Sequence, residues 1–369
     1  MPYPMIDARK LRVFPLAERR SYIEIAGAAQ DPAAPAPAIG ALGARIDALA
    51  DRIRKARIRG AGVMLAYGAH LIKNGAGTLV NALIEAGHVT HVATQGAGVI
   101  HDWEFAFLGR SSESVRDNAP AGRFGSWDET GRWINLAVLA GASEGLGFGE
   151  AMGRLISGES LTLPEPEALA RAIASEPADD LAGARADLLW AMRSFGLRAG
   201  TVAVPHPYKR FSVPACAYRL RVPFTVHPGI GYDIIVNHPM YPGGAIGRAA
   251  TTDARIFAAG TDRLAEGGVY LSVGSAIMSP QVFEKAFSAA NNLRAGDGRP
   301  PIRGHHIAVV DLQDGGGWDW SRGEPPHDSP AYYLRYCKSF ARMGGTLDYF
   351  SCDNRAFLLN LLARLRKNP

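Results

Sequence analysis

Thr94-Gln95-Gly96-Ala97-Gly98-Val99-Ile100-His101-Asp102-Trp103-Glu104 joins a strand, a glycine turn and a helix start that carries titratable groups. Upstream, His88-Val89-Thr90-His91-Val92-Ala93-Thr94 reads as a short β run, and downstream Trp103, Phe105, Ala106, Phe107 and Leu108 give a helix an apolar face. Glycines at such a junction let a ligand approach the backbone, and the N–H groups at a helix start attract phosphate oxygens. The spacing is GxG without the third glycine of a dinucleotide fingerprint. A plain tight turn accounts for the same residues, so the stretch decides the fold before it decides a function.

Working outward, strand and helix signals alternate: a helix over 40–59 with Ile46, Leu49 and Ile53 on one side, a strand at 62–66, a helix at 75–86, a strand at 88–94 and a helix at 100–108. Residues 130–196 read as a mostly helical insertion. Strands are then expected at 201–204, 224–227, 234–237, 269–273 and 306–311, with helices at 252–264, 280–289 and 354–366. This rhythm predicts an α/β fold with a doubly wound, mostly parallel sheet. Residues 1–37 read as an N-terminal arm ending in the linker Asp31-Pro32-Ala33-Ala34-Pro35-Ala36-Pro37, and 38–369 as a single domain.

Composition excludes several classes. With 369 residues, 47% of them hydrophobic, the chain can bury a large core. No window approaches the roughly 20 apolar residues of a membrane span. Asp7, Arg9, Lys10 and Arg12 break up any secretory leader, so a cytoplasmic location is expected. The spacing of Cys216, Cys337 and Cys352 indicates neither a disulfide framework nor a zinc site, and no metal is expected. A net charge of +5 with scattered basic residues argues against nucleic acid as a partner. Arg52, Arg54, Lys55, Arg57 and Arg59 read as a solvated helix face.

The residues that could do chemistry gather where strands end. The first strand is followed by Tyr67-Gly68-Ala69-His70-Leu71-Ile72-Lys73, the second by the opening motif with His101, Asp102 and Glu104, and the strand at 224 by His227-Pro228-Gly229-Ile230-Gly231-Tyr232-Asp233. Gly274-Ser275-Ala276 follows the strand at 269. Asp311-Leu312-Gln313-Asp314-Gly315-Gly316-Gly317-Trp318-Asp319 follows the strand at 306. Five such ends form the rim expected of a nucleotide crevice. A lone histidine is more often structural than catalytic, yet His70 and His101 stand on neighbouring ends.

The order of these loops resembles the deoxyhypusine synthase-like family, bacterial relatives included, from about Gly62 onward. The Tyr67–Gly75 stretch is similar to that family's first cofactor turn, and the opening motif to its Thr-Ala-Gly-Gly-Val-Glu-Glu-Asp turn with one residue inserted. Pro223-Phe224-Thr225-Val226-His227 through Asp233 and His238 resembles its Pro-Val-Phe-Ser-Pro strand and Gly-x-x-Gly-Asp loop. Gly267-Gly268-Val269 resembles its triple-glycine strand entry, and residues 311–319 its Asp-Gly-Ser-Asp-Ser-Gly loop. Lys338, within Tyr332-Tyr333-Leu334-Arg335-Tyr336-Cys337-Lys338, stands roughly where the family keeps a lysine that forms an imine. A surface lysine on an amphipathic helix reads the same way.

The resemblance implies a Rossmann-like fold, NAD as cofactor, and a homodimer or homotetramer. It places NAD at Gly68, Ala69, His70, Gln95, Gly96, Ala97, Gly98, Gly229, Gly231, Gly274, Ser275, Asp311 and Asp314. His101, Asp233 and Lys338 become the catalytic candidates, and Asp102, Glu104, His227, Trp318 and Asp319 the substrate candidates. The departures bear on specificity. The family's acidic pair is Ile100 and His101 here, its histidines after the triple glycine are replaced by Leu271-Ser272-Val273-Gly274, and an aspartate is lost near Pro228. Ammonium groups of a polyamine are matched by carboxylates, so their loss argues for a different small substrate, an amine or an alcohol. The expected activity is NAD-dependent oxidation of such a carbon, with group transfer through a lysine imine as an extension. Spermidine aminobutyl transfer and a non-catalytic NAD-binding regulator or scaffold are the alternatives.

Overall fold

The computed structural model describes residues 3–367. Val63-Met64-Leu65-Ala66-Tyr67 is buried at every position, which is what a strand covered on both faces requires. It forms β1 (Val63–Tyr67) of a six-stranded sheet with β2 (His91–Gln95), β3 (Phe224–His227), β4 (Val269–Val273), β5 (His306–Asp311) and β6 (Thr346–Ser351). The spatial order is β6-β5-β4-β1-β2-β3 and every pairing is parallel. This is the order of the doubly wound nucleotide-binding sheet, whose direction of winding reverses between β1 and β4.

Side chains alternate between the two faces. Val63, Leu65 and Tyr67 join Val92, Val226, Leu271, Val273, Val310 and Phe350 in one core. Met64 and Ala66 join Ala93, Tyr270, Ile307, Val309 and Leu347 in the other. The first core is closed by α1 (Leu42–Ile58), α2 (Ala69–Lys73), α3 (Gly77–Glu85), α4 (Gly96–Leu108) and further helices of the chain's middle part: α5 (Asp128–Ser143), α6 (Phe148–Gly158), α7 (Pro166–Ser175), α8 (Ala182–Ser194) and α9 (Val213–Arg219). α10 (Gly243–Asp262) reaches both cores, through Ala245, Ile246 and Ala249 on one side and Phe257 on the other. α11 (Met278–Gly296) and α12 (Arg335–Ala341) cover the second face, and α13 (Asn354–Lys367) the first.

Three local expectations change. Gly200–Ala203 is a strand, but it pairs antiparallel with Ser160–Leu163 outside the main sheet. The apolar run Ile234–Asn237 is a 3-10 helix. Gly96, Ala97 and Gly98 are the first turn of α4, not a loop before it, with Gln95 as the N-cap and Gly109, at φ 73°, ending the helix.

Between Phe14 and Pro37 the N-terminal segment touches the body at several points. Phe14 bridges Trp127, Leu16 is buried, and Ile23–Glu24 pairs antiparallel with Arg110–Ser111. The proline stretch lies against α13, where Asn360 Nδ2 donates to Pro37 O at 2.9 Å and Arg366 to Pro32 O at 2.6 Å.

Candidate functional site

The parallel register brings Tyr67, Gln95, His227, Val273 and Asp311 to one edge of the sheet. Beside the ends of β2 and β3, a cleft of about 260 Å³ is lined by Lys73, Ala97, Ile100, His101 and Glu104 on one side and Tyr232, Asp233 and Ile234 on the other. Arg19, from the N-terminal segment, and Glu113 also border it, with Ser112, Val115 and Phe124.

His101 is reached through a chain of buried groups. Arg19 forms a bidentate pair with Glu104 at 2.6 and 2.8 Å, both side chains 1% exposed. Burial alone would raise Glu104, but the Arg19 guanidinium outweighs it and holds the carboxyl below its usual range. An ionised carboxylate only accepts, so Ser111 Oγ donates to Glu104 Oε2 at 2.5 Å. The Ser111 proton is thereby committed, and at 2.7 Å the His101 Nδ1–H must donate to Ser111 Oγ. Nε2 therefore carries the lone pair. Burial, reinforced by Lys73 and Arg19 and opposed by Glu104, lowers His101 to about 4, so the ring is neutral at pH 7.

Asp233 sits where the sequence places an anion. Its Oδ2 accepts from Gly229 N–H at 2.7 Å, and the backbone N–H groups of Gly229 and Ala97 both act to lower its pKa. A Cβ on Gly96 would lie 1.9 Å from Asp233 Oδ2. The helix N-terminus read as a phosphate cradle is thus filled by the chain's own carboxylate. Burial pushes Asp233 up to about 6 despite these two N–H groups. Gly98 is required by Thr94 Oγ1, 2.1 Å from where its Cβ would be, and Gly229 by the ring of Tyr232. Gly231, at φ 95°, has open space around it.

The point where the winding reverses is close-packed. A Cβ on Gly68 would lie 1.9 Å from Gly274 O, and one on Gly274 would lie 2.4 Å from Asn354 Nδ2. Gln95 bridges the turn, its amide donating to Tyr67 O at 3.1 Å and accepting from Ala69 N–H at 3.0 Å. His70 is exposed beside it, while Ser275 Oγ accepts from Ser279 N–H at 3.2 Å. The polar groups left over there are Asn354 Oδ1, buried without a partner, and the carboxylates of Asp311 and Asp314, which cap only their own loop at Gln313 and Gly316. These acceptors fit the hydroxyl groups of a dinucleotide ribose. The Gly96–Gly98 turn fits a phosphate only after Asp233 has left.

Other expected residues lie elsewhere. Asp102 points away from the cleft, accepts from Val213 N–H at 2.9 Å and anchors the start of α9; burial pushes it up to about 7. His227 packs edge-on against Phe257, with burial lowering it to about 4. Trp318 donates to Gly323 O, and Asp319 caps the turn at Ser321. Lys338, on α12, places Nζ 3.5 Å from the centre of the Tyr332 ring and does not line the cleft. Arg19, Ser111, Glu113 and Tyr232 were not expected at the site. The signal for Ser111 is its place just after the Gly109 helix stop; for Arg19, 85 residues from Glu104, there is no local signal.

No protein-family model matches the chain, and no curated protein matches it in sequence. Among solved structures it is similar to unliganded AgrE, with 15% identity and a TM-score of 0.44 over 90% of this chain and 34% of that one. It is also similar to ArgZ, an arginine dihydrolase from the ornithine–ammonia cycle in cyanobacteria, with 13% identity and a TM-score of 0.43 over 88% of this chain and 32% of that one. A LOR/SDH protein from Methanococcus maripaludis S2 gives 13% identity and a TM-score of 0.42 over 92% and 74%. The chain spans about a third of the AgrE and ArgZ chains.

Proposed function

We propose that the chain is an NAD-dependent enzyme that oxidises an amine or alcohol carbon of a small substrate, with His101 as the proton acceptor. The observation that carries this reading is the Arg19–Glu104–Ser111–His101 chain, which fixes the tautomer and leaves the Nε2 lone pair in a cleft shared with Lys73 and Asp233. Such a base, oriented through its other nitrogen, is what proton removal from a hydroxyl or amine needs. Lys73 offers a cation to a substrate carboxylate, and Asp233, near neutrality in its titration, can hold a polar hydrogen of the reacting group. A small molecule carrying both an acidic group and an amine or hydroxyl matches this set.

When bound, NAD supplies the acceptor for the hydride. The turn at Gly68, Ala69 and His70, with Gly274, Ser275, Asp311, Asp314 and Asn354, would hold it at the reversal point of the sheet. The cleft residues bind and orient the substrate, and His101 Nε2 takes its proton.

The test is a titration of purified protein with NAD followed by melting temperature, then NADH absorbance with panels of amines, amino acids and hydroxy acids. His101→Gln should keep NAD binding and lose turnover. No NAD binding at millimolar concentration would sink the proposal. A spermidine-derived product lost in Lys338→Ala would favour aminobutyl transfer, and NAD binding without turnover of any compound would favour a regulator.

A further inference from the structure

Arg52 and Lys55 on α1 and Arg59 at its C-cap follow one another at three- and four-residue spacing and so share a face. With Ala48, Asp51, Gly267, Gly304 and His306 they border a groove of about 440 Å³. Gly267 precedes β4 and Gly304 precedes β5, so the groove lies at the amino ends of the strands, across the sheet from the His101 cleft. The basic run is a solvated helix face, as expected, and part of it borders this groove. Its other members are engaged: Arg54 pairs with Asp51 at 3.2 Å, and Arg57 donates to Gly87 O at 2.7 Å. Arg52, Lys55 and Arg59 have no carboxylate partner among the described residues, and the Asp51 carboxylate at the rim is the one held by Arg54.

The floor supplies an independent sign. His306 has a side chain 3% exposed, and its Nε2 has no hydrogen-bond partner. Its Nδ1 meets Thr346 Oγ1 at 2.8 Å. Asp348 Oδ2 stands 3.5 Å from Nε2, while Asp348 Oδ1 is held by Arg45 at 3.0 Å. A buried polar nitrogen left unpaired costs free energy unless something else meets it. Across the groove, a Cβ on Gly267 would lie 2.8 Å from Arg59 Nη1, so the absence of a side chain there keeps the mouth open.

We propose that this groove binds a phosphate-bearing small molecule, with Arg52, Lys55 and Arg59 on the phosphate oxygens above the buried His306. Two guanidinium groups and an ammonium lining one groove match an anion with several oxygens and more than one charge. Nucleic acid fits less well, because the unpaired cations are confined to one groove and form no extended stripe. The site is separate from the His101 cleft and does not depend on the reading of that cleft.

The experiment uses the full chain and inorganic pyrophosphate at constant ionic strength, followed by calorimetry and melting temperature. Saturable binding of one equivalent is expected, weakened about tenfold or more in Arg52→Gln and again in Arg52→Gln/Lys55→Gln, since each loses a charge-assisted contact. Both residues are exposed on α1, so these variants should fold as wild type does. His306→Gln provides a further check on the floor. Equal affinity in wild type and the double variant would overturn the proposal, as would an identical shift with sulfate. Binding of a single-stranded RNA oligomer that the same variants abolish, with no binding of pyrophosphate, would overturn it in favour of a nucleic-acid surface.

Discussion

Arg19 and Glu104 form a bidentate ion pair that is sealed from solvent and sits two hydrogen bonds behind the His101 imidazole. Taking one partner away leaves the other charged and buried. Arg19→Met should therefore lower stability by about 3–5 kcal/mol. Arg19→Met/Glu104→Leu should recover much of the loss, as measured by urea unfolding. Equal losses in the single and double variants would mean the pair acts only through packing.

Ser111 orients His101 without lining the cleft. Ser111→Ala frees Nδ1, so the ring can adopt the tautomer that protonates Nε2. Turnover should fall by about 10²-fold with little change in KM. An unchanged kcat would show that the tautomer is fixed by something else.

Buried histidines should make the protein less stable as pH falls below their ordinary range. Burial lowers His91 to about 3 and His101, His206, His227, His305 and His306 to about 4. In the unfolded chain these rings take up protons near 6.5, so the unfolded state binds more protons across this window and stability drops as pH falls from 6.5 toward 4. The melting temperature should decline over that range. His305, 0% exposed with both ring nitrogens unpartnered, makes a single-site control, and His305→Leu should shallow the slope. An unchanged slope in His305→Leu would contradict the burial of that ring.

Asp233 has the opposite sign. Its folded-state value, about 6, lies above that of an unfolded aspartate, so the stability it confers is lost as pH rises from about 4 through 6. Asp233→Asn should gain on wild type in melting temperature between pH 5 and 7.5. A constant difference across that range would remove the titration from the argument.

Gly96→Ala pushes a methyl group into the Asp233 carboxylate. Strain from such overpacking costs about 1–3 kcal/mol. Asp233→Ala in the same chain should relieve part of it. Simple additivity of the two changes would show that they do not touch.

Much of the sheet was legible because its strands are short apolar runs bounded by turn residues; the 224–227, 269–273 and 306–311 strands fall on the expected residues. Tertiary pairing was not. Gly200–Ala203 has strand composition whichever sheet it joins, and its partner Ser160–Leu163 lies within a stretch that reads as helical. Ile234–Asn237 is too short for its apolar character to separate a strand from a 3-10 turn, and β6, the Thr346–Ser351 edge strand, passed unread between α12 and α13. At the site, His101 and Asp233 were legible as titratable groups at strand ends. Their environment was not, because Arg19 meets Glu104 only through folding of the N-terminal segment across α4, and Ser111 meets the ring only once the chain turns back after Gly109.

Asp233 over the start of α4 also changes what affinity means there. An incoming anion does not add to an empty cradle; it displaces a tethered competitor already bonded to Gly229 and packed against Gly96. Binding at this turn is an exchange of one anion for another, and its strength reports a difference between them. Since protonation weakens the tethered one, a free anion should gain ground as pH falls through about 6, the reverse of the trend for a ligand that needs Asp233 charged.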